Sequence, residues 1–184
     1  MHMYTELMVK MYEIELPSGV DAKIENGTVT IKGKLGSTTK AVNMRLIRLS
    51  QESRKLRIEP TSNKKLGKSA ELASQAFASE LNQSVKGVQE GIERNMKVIY
   101  AHFPMSIEVK DKVLSIKNIF GEKTARTTEI VGDTKVEIKG QDVKIKGVDP
   151  YDVGQTIANI RAICHMRGYD TRVFQDGVYL VNEE

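Results

Sequence analysis

Cysteine is almost missing from this chain: among 184 residues there is one, Cys164. A single thiol excludes an intrachain disulfide and any cysteine-rich zinc site. Tryptophan is absent and aromatics make up only 5 %, so two modest cores of Val, Ile, Leu and Ala are expected rather than one large aromatic core. Histidine occurs three times, as His2, His102 and His165. No two of these are four apart, the spacing that lets a helix present both imidazoles to one zinc ion. Cys164 and His165 are neighbours, and on a helix they would point about 100° apart. A buried thiol beside a partly exposed imidazole is expected there, and His102 is expected to be structural. No run approaches the ~20 apolar residues that span a bilayer. Residues 1–10 lack the apolar stretch of a secretion signal. The expected location is therefore cytoplasmic, with no membrane partner and no metal.

Enzyme motifs are missing too. Leu66-Gly67-Lys68-Ser69 imitates the end of a phosphate-binding loop. That loop needs a second glycine five residues earlier, and Ser62 stands there. The segment reads instead as a helix start with a basic first turn. No Gly-x-Ser-x-Gly elbow occurs. Nothing points to a catalytic residue, a cofactor or a small-molecule substrate.

The chain carries 28 Lys and Arg against 24 Asp and Glu, a formal charge of +4. This is a mild hint of an anionic partner. Residues 1–90 hold 14 basic and 10 acidic side chains, and residues 91–184 hold 14 of each. Nucleic-acid contact in the second half must therefore come from local geometry rather than bulk charge.

The chain repeats itself. Leu16-Pro17-Ser18-Gly19-Val20-Asp21-Ala22-Lys23 resembles Phe103-Pro104-Met105-Ser106-Ile107-Glu108-Val109-Lys110 at an offset of 87. Val29-Thr30-Ile31-Lys32-Gly33-Lys34-Leu35-Gly36 resembles Leu114-Ser115-Ile116-Lys117-Asn118-Ile119-Phe120-Gly121 at an offset of 85. A two-residue deletion in the turn near Asn26-Gly27 would reconcile the offsets, since turns tolerate such changes.

Alternation of apolar and polar residues predicts strands over 28–34, 56–60, 136–139 and 143–146. Asn26-Gly27 is a hairpin signal, and Gly140-Gln141-Asp142 joins the last two strands. One-sided alternation implies a sheet with one wet and one buried face. Each copy then ends in a helix. Over 68–85, Leu72, Ala73, Ala76, Phe77, Leu81 and Val85 recur at near-helical spacing, broken by Glu80. In the second helix, Asp149 is the expected N-cap with Pro150 at the first position. Val153, Ile157, Ile160, Ala162 and Cys164 form its apolar side, and Gly168 is the expected stop. The fold class is α+β: two tandem copies of a small antiparallel sheet with one packed helix. The expected units are residues 1–88 and 89–184. On the residues alone, Lys139, Lys144 and Lys146 fit a solvated sheet face better than an RNA surface.

Three stretches carry a family likeness. The first is Gly87-Val88-x-x-Gly91-Ile92, then Met96, then Val98-Ile99-Tyr100-Ala101-His102-Phe103-Pro104. The second is Asn118-Ile119-Phe120-Gly121-Glu122-Lys123 with Arg126. The third is Thr171-Arg172-Val173-Phe174-Gln175-Asp176-Gly177-Val178-Tyr179-Leu180-Val181. In this order and spacing they resemble the universal large-subunit ribosomal protein "L six" family, in its archaeal and eukaryotic branch. The likeness covers nearly the whole chain, and the duplicated α+β unit is that family's fold.

The resemblance implies a structural constituent of the large ribosomal subunit, not an enzyme. It implies binding to large-subunit ribosomal RNA near the stalk base and factor-binding region, with neighbouring ribosomal proteins as further partners. It makes the second unit the main RNA-binding unit and the loop 172–179 its prominent element. The RNA-binding candidates are Arg167, Tyr169, Arg172, Asp176, Gly177 and Tyr179, with Lys123 and Arg126 from another loop. Arginine can grip phosphate with two parallel hydrogen bonds, and a glycine lets backbone approach RNA closely. Tyr169, Phe174 and Tyr179 could stack on a base, although Phe174 fits the core of a final strand better. Gln175 and Asp176 stand where the bacterial branch is more basic. The competing readings are a processing factor with broad RNA preference, a protein-interaction scaffold, and a small hydrolase.

Overall fold

In the computed structural model the described residues are 11–25, 27–52, 54–61, 67–101, 103–166, 168, 170 and 172–181. The chain divides into two compact units, Met1–Glu90 and Gly91–Glu184.

Among the described residues the first unit has six strands: β1 (Tyr12–Glu15), β2 (Asp21–Glu25), β3 (Thr28–Lys32), β4 (Ser37–Ala41), β5 (Ile47–Glu52) and β6 (Lys55–Pro60). The helix α1 (Gly67–Glu90) follows. The strands form two antiparallel sheets, ordered β1-β6-β5 and β2-β3-β4. Strand alternation sends Ile14, Leu56, Ile58, Val29 and Ile31 inward beneath the helix.

Helix α1 differs from the expected one in length and face. It runs five residues beyond Val85 and stops at Gly91, whose φ of 78° is the left-handed conformation that ends helices. Its buried face comprises Ala70, Ser74, Phe77, Leu81, Ser84 and Val88, whereas Leu72 is 58 % exposed. The two buried serines satisfy themselves locally: Ser74 Oγ donates to the Ala70 carbonyl (2.8 Å) and Ser84 Oγ to that of Glu80 (3.0 Å). A small polar residue can therefore replace an apolar one on this face. Glu80, the break in the expected stripe, pairs with the nearly buried Lys40 at 3.3 Å.

The second unit repeats the order with β7 (Ile92–Ile99), β8 (Ser106–Lys110), β9 (Val113–Lys117), β10 (Arg126–Glu129), β11 (Lys135–Lys139), β12 (Asp142–Gly147) and helix α2 (Pro150–Cys164). A further strand, β13 (Gly177–Leu180), comes after the helix. The sheets are ordered β10-β9-β8 and β11-β12-β7-β13. Among the described residues each unit thus has two small antiparallel sheets where one was expected, β8–β10 and their counterparts pairing only with one another. Leu114, Ile116 and Ile119 meet Met96, Val98, Val143 and Ile145 in one core with Val153, Ile157 and Ile160 of α2. Ala162, expected on this apolar side, is exposed.

Strand register corrects the expected position of the deletion. Glu25 faces Thr28 across Asn26-Gly27, and Lys110 faces Val113 across Asp111-Lys112. Both hairpins close over two residues, so the offset is 85 throughout and the turn holds no deletion. The expected residue Asn26 lies outside the described residues; Gly27 has φ 82°. The change lies between elements. Glu52 faces Lys55 in one copy and Lys139 faces Asp142 in the other, an offset of 87. Glu15 faces Lys55 and Lys97 faces Asp142, which sets β1 and β7 at an offset of 82. A shared hydrogen bond confirms that equivalence: Leu16 N donates to Arg54 O as Val98 N donates to Gln141 O, each at 2.8 Å.

Helix α2 begins as expected. Asp149 accepts a hydrogen bond from Tyr151 N through its carboxylate (2.9 Å), and Pro150 occupies the first turn. It ends at Cys164, well before Gly168, because His165 turns to extended backbone (φ −67°, ψ 128°).

Candidate nucleic-acid interface

The residues between α2 and β13 form a turn built on one aspartate. Asp170 accepts from Arg172 N through its carboxylate (2.9 Å), and its carbonyl accepts from Val173 N and Phe174 N (3.1 and 3.0 Å). Such an Asx turn substitutes a side chain for backbone. It leaves Arg172 exposed at the tip. Gln175 Nε2 closes the turn by donating to the Arg172 carbonyl (3.1 Å). The Arg172 guanidinium has no hydrogen bond or ion pair among the described residues.

Asp176 has a different task. It is only 3 % exposed, and Oδ1 accepts from Ala101 N at 2.7 Å. The carboxylate thus ties the loop to the chain just beyond β7. Gly177 starts β13 opposite Ile99 and is buried. A Cβ there would stand 3.3 Å from the Tyr179 ring, so the absent side chain lets that ring lie over the backbone. Tyr179 is 44 % exposed, and its hydroxyl donates to the Gln175 carbonyl (2.9 Å). Its ring is therefore held in place with part of its surface free to stack. Arg167 and Tyr169 lie outside the described residues.

Lys123 is exposed between the short 3-10 turn Ile119–Gly121 and β10. That turn is sharp: Asn118 and Phe120 both have left-handed φ, at 60° and 53°. The Asn118 side-chain amide donates to the Pro104 carbonyl (3.0 Å), and Ile119 is fully buried.

Arg126 does not share the free display of Lys123. Nε and Nη2 donate to the two carboxylate oxygens of Glu122 (2.8 and 2.5 Å). Nη1 donates to the carbonyls of Ile163 and His165 (2.6 and 3.1 Å). A cation at these carbonyls satisfies groups that every helix C-terminus leaves open, and it meets the negative end of the helix dipole. The hydrogen bonds from Arg126 hold the Glu122 carboxyl below its ordinary value. Arg126 is thus the clamp that ends α2 where it does.

Glu122, Arg126 and Phe174 share a cleft of about 500 Å³ with Phe103, Phe120, His165 and Met166. The second and third of the sequence stretches singled out above therefore meet in space. Cys164 is buried and His165 exposed, as the sequence implied, and burial pushes the Cys164 thiol up. Sequence reasoning missed the partners. Glu122 lies four residues before Arg126, which is a readable helical-type pair spacing. The anchor between Asp176 and Ala101, 75 residues apart in sequence, has no local signal.

A family model described as Ribosomal protein L6 matches residues 103–177. The chain is 40 % identical over 172 residues to the large ribosomal subunit protein uL6 of Thermoplasma acidophilum, covering 92 % of this chain and 94 % of that protein. It is 39 % identical over 176 residues to uL6 of Methanocella arvoryzae, covering 95 % and 97 %. The chain belongs to the uL6 family. It is a ribosomal protein of the large subunit, found in the cytoplasmic ribosome, and it is not an enzyme. The match to uL6 of Methanobrevibacter smithii, 37 % identical over 94 % of this chain, extends the likeness across another archaeal relative. For a uL6 protein the exposed cations of the second unit, rather than any pocket chemistry, are the groups to consider. Among the described residues no cluster of His, Cys, Asp and Glu could hold a metal ion.

Proposed function

We propose that this chain binds large-subunit ribosomal RNA, mainly through residues 89–184, and stabilises the RNA's tertiary structure near the stalk base and factor-binding region. The location comes from the family resemblance. The observation that carries the RNA-binding reading is the state of Arg172. It stands at the tip of an Asp170-built turn with its guanidinium free among the described residues. Arginine so placed can form bidentate bonds to a phosphate.

Lys123 adds a second exposed cation, and Tyr179 a fixed ring able to stack on a base or sugar. Gly177 serves by letting that ring settle, and Asp176 by anchoring the loop from within. Arg126 shapes the site through the α2 terminus. Arg167 and Tyr169 belong to the same segment by sequence. Neighbouring ribosomal proteins complete the surroundings.

The test is co-sedimentation followed by footprinting. Native extract is run on a sucrose gradient at moderate salt. Stoichiometric migration with large subunits, and RNA protection near the stalk base that weakens in Arg172→Gln, are expected. Protection elsewhere in the subunit would overturn the location. Unaltered protection in Arg172→Gln would overturn the role of the loop.

A further inference from the structure

The duplication supplies an internal control for surface chemistry. Two sheets of the same order, β5-β6-β1 and β11-β12-β7, turn one face to their helix and the other outward. The register pairs their outward residues one for one. At an offset of 87, Glu52 corresponds to Lys139 and Glu59 to Lys146; at an offset of 82, Glu15 corresponds to Lys97. Three acidic positions of the first copy are thus lysines in the second, against one reverse change, Lys55 to Asp142. In the first copy the outward charges neutralise one another. Arg57 donates to Glu13 and Glu52 (2.9 Å each), and Lys55 pairs with Glu15 at 2.8 Å.

In the second copy the balance is lost. The outward face carries five lysines against Glu93, Glu137 and Asp142. Lys144 pairs with Glu93 (3.0 Å), and Lys146 lies 3.5 Å from both Glu93 and Glu137. Lys97, Lys135 and Lys139 have no ion pair among the described residues. Lys97 and Lys139 lie in one cross-strand row, on either side of Asp142. Two strand spacings put their backbones about 10 Å apart. Lys135 stands four residues along the same edge strand, roughly 13 Å from Lys139. Tyr179 faces Lys97 at the other end of that row, its ring fixed by the bond to Gln175.

We propose that this outward sheet face, through Lys97, Lys135 and Lys139, is a second phosphate-binding surface that lies along the backbone of double-stranded RNA. The proposal rests on the RNA-binding reading above and extends it from the Arg172 loop to the sheet. Duplex RNA presents a wide, shallow groove recognised by shape and phosphate contact. A sheet face with spaced, unneutralised ammonium groups suits such a surface better than it suits a single-stranded loop. The bulk charge of residues 91–184 is zero, so the face arises by sorting charge to one side rather than by adding it.

The test uses the full chain and deproteinised large-subunit ribosomal RNA, titrated in filter binding across a range of KCl concentrations. Variants are Lys97→Gln/Lys135→Gln/Lys139→Gln, Arg48→Gln/Arg57→Gln on the outward face of the first copy as a control, and Arg172→Gln. Circular dichroism confirms folding of each. Each lysine that neutralises a phosphate contributes about 0.7–0.9 to the logarithmic salt slope, so the triple variant should lose about 2–3. The first-copy variant should keep the parental slope. A triple variant with the parental slope, while Arg172→Gln weakens binding, overturns the sheet surface and leaves the loop reading intact. Absence of binding by the unsubstituted chain overturns both.

Discussion

Replacing Arg126 by alanine separates a structural clamp from an RNA contact. The guanidinium donates to two α2-terminal carbonyls, Ile163 and His165, and to both oxygens of Glu122. A hydrogen bond from a charged group contributes about 1.5–3 kcal/mol. The Glu122 pair, half exposed, adds roughly 0.5–1 kcal/mol. Because the 3.1 Å bond to His165 is the weaker of the carbonyl contacts, the combined loss is about 3 kcal/mol rather than the full sum. For a unit of this size that corresponds to a fall in melting temperature of about 12–24 °C. Hydrogen exchange followed by mass spectrometry is the direct assay, since it resolves the amides of Pro150–Cys164 from those of the first unit. Faster exchange at the α2 terminus, with the first unit unchanged, is expected. Arg126→Lys should fall between, because an ammonium cannot match the planar fork. Parental stability in Arg126→Ala, combined with weakened RNA binding, would refute the clamp and return Arg126 to the RNA contacts.

Other outcomes follow from the same geometry. Glu122 has its carboxyl lowered from 4.5 by Arg126, so its stabilisation is complete above that value and fades as pH falls through the lowered one; the stability gap between parent and Glu122→Gln should close on acidification in urea titrations. Gly33→Ala would place a Cβ 2.7 Å from the Val88 carbonyl oxygen. The overpacking should cost the first unit about 1–3 kcal/mol, read in the same titrations. Asp149→Ala removes the α2 N-cap and should cost about 1 kcal/mol; parental melting would mean that Pro150 suffices to start the helix. Asp176→Ala breaks a buried bond to Ala101 N and should cost about 1–3 kcal/mol, with RNA affinity reduced because the loop loses its anchor.

Much of the fold was legible because it is local. The hairpins, the Asp149-Pro150 helix start and the duplication all rest on neighbouring residues or on simple periodicity. The α1 face departs from its apolar pattern at Leu72, which is exposed, and at Ser74 and Ser84, which are buried although polar. Their hydroxyls bond back one turn, which no apolar pattern records. The α2 terminus was misplaced for a different reason. The glycine rule pointed to Gly168, yet the stop is imposed by Arg126 from a distant strand. At the candidate site, the exposure of Arg172 and Lys123 followed from their setting in loops. The burial of Asp176 depends on Ala101, 75 residues away, and the bonds of Arg126 to the α2 terminus on residues nearly 40 away, so residue type alone carries no signal of either. The lysine face is half visible in sequence: Lys139, Lys144 and Lys146 alternate along two strands, but their weight depends on cross-strand neighbours and on the corresponding positions of the first copy.

Strand β13 gives the two copies different assembly histories. In the first unit, the sheet holding β1 has three strands among the described residues, and β1 joins it where Glu15 meets Lys55. In the second, β7 has a partner on its other side as well, and Gly177 must reach back to Ile99 across nearly the whole unit. Pairings between residues so distant in sequence form slowly, because the chain entropy of closing the loop is lost before the contact is gained. Until they form, β7 is an open edge able to accept a strand from another molecule. The second copy should therefore complete its sheet later than the first.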